Sequence, residues 1–370
     1  MNHYIEIEDH ETLQSLLQPG AVLEHYAFQN VEFGQNAVQC SFKDCIFFGC
    51  IMPGAMRDAL APDCCVLPGL PVPFNPFPAH LYTPAELYAG YDYCRPDSFV
   101  RCYDTCIYNH YLEKGKQAAD ISETLARSLH EHSISDALHD MLAGYDDSRV
   151  VAVMGGHALL RTDDVYRKVV LISKHLAEKG CLMITGGGPG AMEAAHLGVW
   201  LAGRGDDAVD TAISMLSHAP SYKDEEWLPS AFALIERMPC AGKYSSIGIP
   251  TWFYGHEPAT PFASHIAKYF DNSIREDGLL AIAKGGVIYA PGSAGTTQEI
   301  FQDAAQNHYL TCGYASPMVF LDTEYWKETF PVYPLLESLV QKGCYKNLLL
   351  SMTDSPDDAV RDIMAFVNGK

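Results

Sequence analysis

From residue 149 onward, short apolar runs alternate with amphipathic stretches. Residues 149–156 (RVVAVMGG) form an apolar run that ends in glycines, as is typical of a buried strand in a parallel sheet. In 163–180, the residues Val165, Val169, Ile172 and Leu176 recur at helical spacing, which predicts an amphipathic helix with Gly180 as its C-cap. This alternation predicts an α/β fold in which helices cover both faces of a parallel sheet. Further strands are predicted at 181–188, 247–253, 285–290, 317–322 and 347–353, and a last helix from Ser355, with Pro356 in its first position.

The residues before 149 have a different pattern of residue types. To about residue 70, phenylalanines and cysteines recur every five residues, which indicates either a small stack of β-turn coils or short antiparallel strands. A proline-rich connector follows at 67–84, and a helical pattern runs from about 116 to 143. We therefore predict an N-terminal accessory region at 1–110, a helical linker at 111–148 and an α/β domain at 149–370.

Composition narrows the classes of function. The chain has 370 residues, 48% of them hydrophobic, with no uninterrupted apolar run of about 18 residues and no basic-then-apolar N-terminus. We therefore expect a soluble cytoplasmic protein with no membrane partner. The net charge of −21 argues against nucleic acid as a partner, because phosphate backbones bind through clustered lysine and arginine. The twelve cysteines lack the paired spacing of a zinc site, so reduced thiols and no bound metal are expected.

Two glycine-rich turns follow predicted strands and fall at the carboxyl edge of the sheet, where ligands bind in such folds. In the first, Gly186, Gly188 and Ala191 satisfy G-x-G-x-x-A, the dinucleotide fingerprint. However, this turn follows the second strand of its unit, and the acidic residues 206 and 207 lie in a polar stretch rather than at a strand end. Dinucleotide binding, and with it an oxidoreductase, is therefore the weakest of the interpretations.

The second turn, residues 291–295 (PGSAG), leads directly into a predicted helix. Its glycines allow a concave run of backbone N–H groups, and the helix N-terminus adds positive potential, so the turn is suited to a single phosphate. It lacks the lysine of a Walker loop, so triphosphate hydrolysis is not indicated. Residues 296–299 (TTQE) match a capping box, which would make Glu299 a residue of local helix chemistry. A carboxylate that acts on a sugar held beside the phosphate is the alternative, and the motif leaves both open.

The two motifs GGGPGAMEAA (186–195) and PGSAGTTQE (291–299) together resemble those of the LOG (Lonely Guy) family, many members of which were once labelled lysine decarboxylases. With GHEPATPF (255–262) between them, the chain looks most similar to the bacterial nucleotide 5′-monophosphate nucleosidases of that superfamily. The resemblance covers about residues 149–325. It implies a doubly wound Rossmann-like fold, a homodimer or higher homo-oligomer, no cofactor, and hydrolysis of nucleoside 5′-monophosphates to free base and ribose 5-phosphate.

The resemblance also implies the roles of particular residues. Glu299 takes the place of the catalytic glutamate, and Arg275 that of the substrate-positioning arginine. The chain departs from the family at Ser293, which replaces a glycine, and at Glu276, which replaces a basic residue. The expected nucleotide-binding set is Gly155, Gly156, Gly186, Gly187, Gly188, Gly190, Met192, Glu193, Pro291, Gly292, Ser293, Ala294, Gly295 and Thr296.

Three further expectations concern single residues near the two motifs. His256 and Glu257 follow a predicted strand, so either could contact the substrate. Lys284 precedes a strand and should lie at the opposite edge, which argues against the Schiff-base lysine of a decarboxylase. Arg275 could instead be a surface residue paired with Glu276 or Asp277.

A non-catalytic nucleotide sensor with the same phosphate loop is the alternative function. The sequence pattern does not identify which base the nucleotide carries.

Overall fold

The computed structural model describes residues 4–255 and 257–369, and the contacts within it divide the chain into two compact units. The first unit comprises the chain up to Leu81 together with Asn109–Asp140, and the second comprises Tyr82–Tyr108 together with the chain from Met141. Much of the segment predicted as a helical linker therefore lies within the first unit. Before residue 145 the strands and helices are β1 Ile5–Ile7, α1 His10–Leu16, β2 Val22–Glu24, β3 Tyr26–Gln29, β4 Ser41–Lys43, β5 Ile46–Phe48, α2 Gly54–Asp58, β6 Cys65–Leu67, α3 Pro84–Leu87, α4 Tyr103–Lys114 and α5 Ile121–Leu142.

The strands of the first unit pair in parallel and form stacked coils. In the sheet β1-β3-β5-β6, Ile5 pairs with Tyr26 (21 positions along the chain), Ala27 with Ile46 (19) and Ile46 with Cys65 (19). A second ladder, β2 with β4, is also parallel. The coil prediction is thus confirmed, and the alternative of antiparallel strands is wrong.

Aromatic side chains fill the interior of these coils. Phe28 and Phe47 stack with ring centroids 5.1 Å apart, and Phe33 and Phe42 pack edge-on against them. The thiols of Cys45 and Cys50 donate to the carbonyls of Leu23 and Phe28 on the preceding coil. The five-residue recurrence of Phe and Cys in the sequence therefore marks positions that face the interior of the stack.

The second unit is built on a seven-stranded parallel sheet of order β10-β9-β8-β7-β11-β12-β13. Its strands and helices are β7 Val150–Met154, α6 Asp164–Glu178, β8 Leu182–Thr185, α7 Ala191–Leu201, α8 Asp207–Leu216, α9 Trp227–Arg237, β9 Ser246–Gly248, β10 His265–Ile266, α10 Asn272–Ile282, β11 Gly286–Tyr289, α11 Ala294–Tyr309, β12 Pro317–Leu321, α12 Val332–Gln341, β13 Leu349–Thr353 and α13 Pro356–Asn368. Leaving β10 aside, the order follows the doubly wound Rossmann pattern, so the α/β prediction is confirmed.

The order of the chain through this sheet reverses between β7 and β11. These strands are neighbours, with Val151 of β7 opposite Gly286 of β11 and Met154 opposite Tyr289. A crevice at the carboxyl ends of two such strands is where ligands bind in doubly wound sheets. A ligand site is therefore expected at the turns after β7, β8 and β11.

The core of the second unit lies between the sheet and its helices. Buried residues of β7, β8, β11 and β12 pack against α6, α7 and α13 in one cluster. Helices α6 and α7 approach closely at Gly198, where an added Cβ would lie 2.3 Å from the Val170 carbonyl oxygen. The predicted strand at 247–253 is wrong beyond Gly248: Pro250 has no N–H for a ladder, and residues 252–254 form a 3₁₀ turn. None of the described helices is long and apolar enough to span a membrane.

Candidate functional site

Three glycine-bearing turns meet at the switch point. The Gly156 N–H donates to the Pro291 carbonyl at 2.9 Å, which joins the turn after β7 to the turn after β11. Gly190, in the turn after β8, has φ +70°, and a Cβ there would lie 2.3 Å from the Gly156 carbonyl oxygen. Only glycine tolerates both the backbone conformation and this contact. The predicted binding glycines are therefore brought together as one surface.

The turn after β11 forms the N-terminus of a long helix. Helix α11 begins at Ala294 with Ser293 as its N-cap, and no side chain of the described residues caps it. The N–H groups of Ala294, Gly295 and Thr296 are thus available to an anion at the positive end of a 16-residue helix. The Tyr325 hydroxyl fixes the turn by donating to the Gly292 carbonyl at 2.8 Å.

The capping-box interpretation of Glu299 is wrong. The helix starts at Ala294, two residues before Thr296, so Glu299 is its sixth residue rather than its third. The Thr297 hydroxyl donates to the Ser293 carbonyl, which is a bond within the helix and not a cap for its N-terminus. The carboxylate of Glu299 therefore requires an explanation other than helix capping.

Glu299 is half-buried and faces an arginine. Burial raises the pKa of its carboxyl to about 7, against a lowering by the Arg275 guanidinium and a further raising by Glu276. Arg275 Nη1 lies 3.3 Å from the place of a Cβ on Gly186, which puts the guanidinium against the first glycine turn. The two predicted catalytic residues, Glu299 and Arg275, are thus close to each other and to both turns.

Arg275 is held by Asn272 rather than by Glu276 or Asp277. Its Nε donates to Asn272 Oδ1 at 3.2 Å. Glu276 instead accepts from Asn272 Nδ2 at 2.7 Å, and Asp277 accepts from Gln302 Nε2 at 2.7 Å. The geometry does not bear out the interpretation of Arg275 as a surface residue paired with these two acids, and its guanidinium is left facing the site.

A buried network shapes the first glycine turn. His196 is fully buried, with Nε2 2.8 Å from Thr185 Oγ1 and Nδ1 2.8 Å from Ser246 Oγ. Burial lowers its pKa to about 3, so the imidazole is neutral at pH 7. Thr185 Oγ1 in turn accepts from the Gly187 N–H at 2.9 Å. The Met192 sulfur lies 2.9 Å from the place of a Cβ on Gly186, so the thioether lies across the turn.

Glu193 has an environment unlike that of the rest of the expected binding set. It is completely buried and paired with Arg161, which is 1% exposed, at 2.5 Å between Oε1 and Nη2. Arg161 also donates to the carbonyls of Ala219 and Trp227 and to the Ser230 hydroxyl. We therefore leave Glu193 out of the proposed ligand contacts. No local pattern marked Arg161, because its partners are 32 to 69 positions away along the chain.

Sequence reasoning also missed the groups behind Glu299. Asp303, one turn further along α11, is 4% exposed and accepts a hydrogen bond from the fully buried Tyr289 hydroxyl at 2.6 Å. Burial raises the pKa of Asp303 to about 7, opposed by that hydrogen bond. The i, i+4 spacing of Glu299 and Asp303 was the available signal.

Two remaining expectations concern lysine and histidine. Lys284 lies at the amino edge of the sheet, where Nζ is 2.5 Å from Asp147 Oδ2 just before β7. This location is the one predicted for it, away from the phosphate turn. His256 lies outside the described residues. Glu257 reaches the site, with Oε2 3.6 Å from the place of a Cβ on Gly188.

Replacement of Gly292 by alanine should disrupt the second turn, whereas the same change at Gly295 should not. A Cβ on Gly292 would lie 2.1 Å from Thr296 Oγ1, but a Cβ on Gly295 meets nothing within 4 Å. We expect Gly292→Ala to lower the free energy of unfolding by about 1–3 kcal/mol. Gly295→Ala should raise it by about 0.5–1 kcal/mol, because alanine favours the helix. Urea unfolding of both variants measures this, and equal effects would contradict the described turn.

The raised pKa of Glu299 predicts a pH-dependent difference in stability. A carboxyl whose pKa is about 7 when folded and 4.5 in its ordinary state binds its proton more tightly in the folded protein. Stability therefore falls as pH rises from 4.5 to about 7 and is then constant. Glutamine does not titrate, so Glu299→Gln lacks this loss of stability. The free energy of unfolding of the variant, measured in urea, should therefore rise relative to that of the parent as pH increases from about 5 to about 8. A difference that is independent of pH would show that the carboxyl titrates normally.

Among known proteins, the matches to this chain are solved structures. No protein-family model matches the chain, and a search of curated proteins finds no significant match. Among solved structures, it is similar to the molybdenum cofactor binding protein from the phototrophic bacterium Rippkaea orientalis, at 15% identity over 59% of this chain and 96% of that chain, with TM-score 0.36. It is also similar to TM1055, at 19% identity over 59% of this chain and 99% of that chain, with TM-score 0.38. The molybdenum cofactor carrier protein from Chlamydomonas reinhardtii is 14% identical over 59% of this chain and 98% of that chain, with TM-score 0.35.

Proposed function

We propose that this protein hydrolyses the N-glycosidic bond of nucleoside 5′-monophosphates, releasing the free base and ribose 5-phosphate. One observation carries the proposal: Glu299 is a half-buried carboxylate, unused as a cap, that lies beside Arg275 and one turn beyond an uncapped helix N-terminus. The phosphate and the sugar of the substrate each have a matching group at this site.

The 5′-phosphate is assigned to the first N–H groups of α11. The chain has a net charge of −21, so an anion requires a local reversal of the field, which the helix N-terminus and the Arg275 guanidinium supply. Glu299 follows Thr296 by three residues, a rise of about 4.5 Å along the helix. A ribose attached to the bound phosphate spans a distance of this order, which brings the sugar ring to the carboxylate.

At that position the carboxylate has two tasks. As the bond from C1′ to the base nitrogen breaks, the sugar acquires oxocarbenium character, and the negative charge of Glu299 stabilises it. The same carboxylate orients water, whose oxygen bonds to C1′ while its protons go to the departing base and to solvent. Arg275 holds phosphate or ribose oxygens through its fork of donors and favours the ionised form of Glu299.

This role requires Glu299 to be ionised. Because its pKa is about 7, we expect kcat/KM to rise with pH through about 7 and to fall roughly tenfold for each pH unit below it. A pH–rate profile measured with a single nucleotide checks this expectation. A profile that is flat between about pH 5 and pH 8 would exclude Glu299 as the group that must be ionised.

The test of the function is chromatography of the purified protein incubated with AMP, GMP, CMP and UMP and with the matching nucleosides. The proposal expects free base and ribose 5-phosphate from one or more of the monophosphates and none from the nucleosides, since the phosphate turn has nothing to hold in them. Nucleotide binding without release of base would instead support a sensor.

A homodimer is also expected, and sedimentation analysis measures the oligomeric state.

A further inference from the structure

Three side chains that the proposed reaction does not use converge beside the first glycine turn. His157 comes from the loop after β7, Tyr222 from the loop between α8 and α9, and Glu257 from the loop after β9. His157 Nδ1 lies 3.6 Å from Glu257 Oε1, and the rings of His157 and Tyr222 are perpendicular with centroids 5.7 Å apart. The three residues therefore form one cluster, although they are far apart along the chain.

This cluster is accessible to a ligand. The side chain of His157 is 49% exposed and that of Glu257 is 20% exposed, which leaves both within reach of the crevice. Desolvation, followed by the Glu257 carboxylate, raises the pKa of the Tyr222 hydroxyl, so this phenol is neutral at pH 7 and lies close to Glu257. The cluster thus presents a carboxylate beside aromatic rings.

The glycine turn places the cluster relative to the proposed catalytic groups. Arg275 lies against Gly186, Glu257 lies against Gly188, and the Met192 side chain contacts both positions. The Arg275 guanidinium and the Glu257 carboxylate therefore both border the first glycine turn. With the phosphate on α11 and the sugar at Glu299, the base is the remaining part of a nucleotide that could occupy this place.

We propose that Glu257, positioned by His157 and flanked by Tyr222, reads the hydrogen-bonding edge of the base and selects one with two adjacent N–H donors, as guanine has. The inference rests on the proposed function, because it takes the ligand to be a nucleoside monophosphate. An ionised carboxylate accepts two parallel N–H bonds, which the N1–H and 2-amino groups of guanine offer. Adenine presents an acceptor, N1, at the same edge, and its lone pair repels the carboxylate.

A carboxylate could also bind the two ribose hydroxyls, but the aromatic neighbours of Glu257, His157 and Tyr222, favour the base. Aromatic rings beside a carboxylate suit a flat base, which gains stacking contacts that a sugar lacks. The sugar has its own groups, Glu299 and Arg275, nearer the phosphate turn. A ribose contact therefore becomes an outcome of the test.

The test compares GMP, inosine 5′-monophosphate and AMP with the parent protein and Glu257→Gln. Inosine monophosphate keeps N1–H but lacks the 2-amino group. We expect kcat/KM of the parent to fall in the order GMP, inosine monophosphate, AMP. Loss of a charged hydrogen-bond acceptor should lower kcat/KM for GMP about 10- to 100-fold in the variant. The value for AMP should stay within about threefold or rise, since glutamine can donate to N1. Glu225→Gln, an exposed glutamate near Tyr222, is the matched control.

Equal losses for all three nucleotides would overturn the proposal in favour of a ribose contact, and no loss for any would remove Glu257 from the site. Calorimetric binding of GMP, AMP and ribose 5-phosphate separates this inference from the proposed function. A preference for GMP that depends on Glu257, without turnover, would sustain the base subsite and refute the hydrolase. Turnover without a preference for GMP that depends on Glu257 would sustain the hydrolase and refute the base subsite. Failure of GMP alone to bind would refute the base subsite, and failure of GMP, AMP and ribose 5-phosphate all to bind would refute both.

Discussion

Glu299→Gln is expected to lower kcat for release of base about 100- to 10,000-fold, the range for loss of a group that acts in the transition state. The change keeps the size of the side chain but removes the charge that faces the developing oxocarbenium ion. The binding of ribose 5-phosphate should change much less, because the N–H groups of α11 and Arg275 are retained. Chromatography of the released base, together with calorimetric titration of ribose 5-phosphate, measures the two effects.

A matched control for this variant is Glu337→Gln on α12. Glu337 is exposed, so the same chemical change there should leave kcat within about twofold. If Glu299→Gln keeps a tenth or more of the parent activity while its unfolding curve is normal, Glu299 is not the catalytic carboxylate. If the parent binds nucleotides without turnover, the sensor becomes the better description.

Arg161→Met is expected to have the largest effect on stability, lowering the free energy of unfolding by about 3–5 kcal/mol. The substitution leaves the Glu193 carboxylate, which is 0% exposed, without its cation, and three further acceptors lose their donor. Because Glu193 lies in the first turn of α7, directly after the glycine turn, the loss should also weaken nucleotide binding. Equilibrium unfolding in urea at neutral pH measures the stability.

The control is Arg167→Met, which removes an arginine from the exposed pair with Asp210. Both side chains of that pair are exposed, at 41% and 59%, so the cost should be within about 1 kcal/mol. In the double variant Arg161→Met/Glu193→Leu, stability should recover in part, because no buried charge is left alone. A loss below about 1 kcal/mol for Arg161→Met alone would show that water reaches the Glu193 carboxylate.

The parts of the fold that sequence predicted are those that depend on neighbouring residues. The apolar run 149–156 and the helix after it became β7 and α6, and the Ser355 side chain caps α13 at the predicted place by accepting from the Asp358 N–H. The glycine turns could be placed at one edge of the sheet because parallel strands align their carboxyl ends. Even the proximity of Arg275 to Glu299 was expected, although from the family resemblance rather than from spacing.

The features that the sequence did not predict involve partners distant along the chain or local signals that compete with each other. The Arg161–Glu193 pair and the Thr185–His196–Ser246 network join residues that no periodicity links. The start of α11 was misjudged because serine and threonine are both good N-caps, and Ser293 was chosen over Thr296. The cluster of His157, Tyr222 and Glu257 draws on three loops, so its members could be connected only once the sheet order was known.

Because successive strands of the coil stack pair 19–21 residues apart, that stack can change in length only by whole coils. An inserted segment of about twenty residues with phenylalanine and cysteine in register would add one rung and extend the aromatic interior, since each rung contacts only its neighbours. An insertion of five or ten residues would keep the five-residue recurrence of interior positions but would move the following strands out of register with their ladders. Related chains should therefore differ here in steps of one coil, whereas loops elsewhere vary residue by residue.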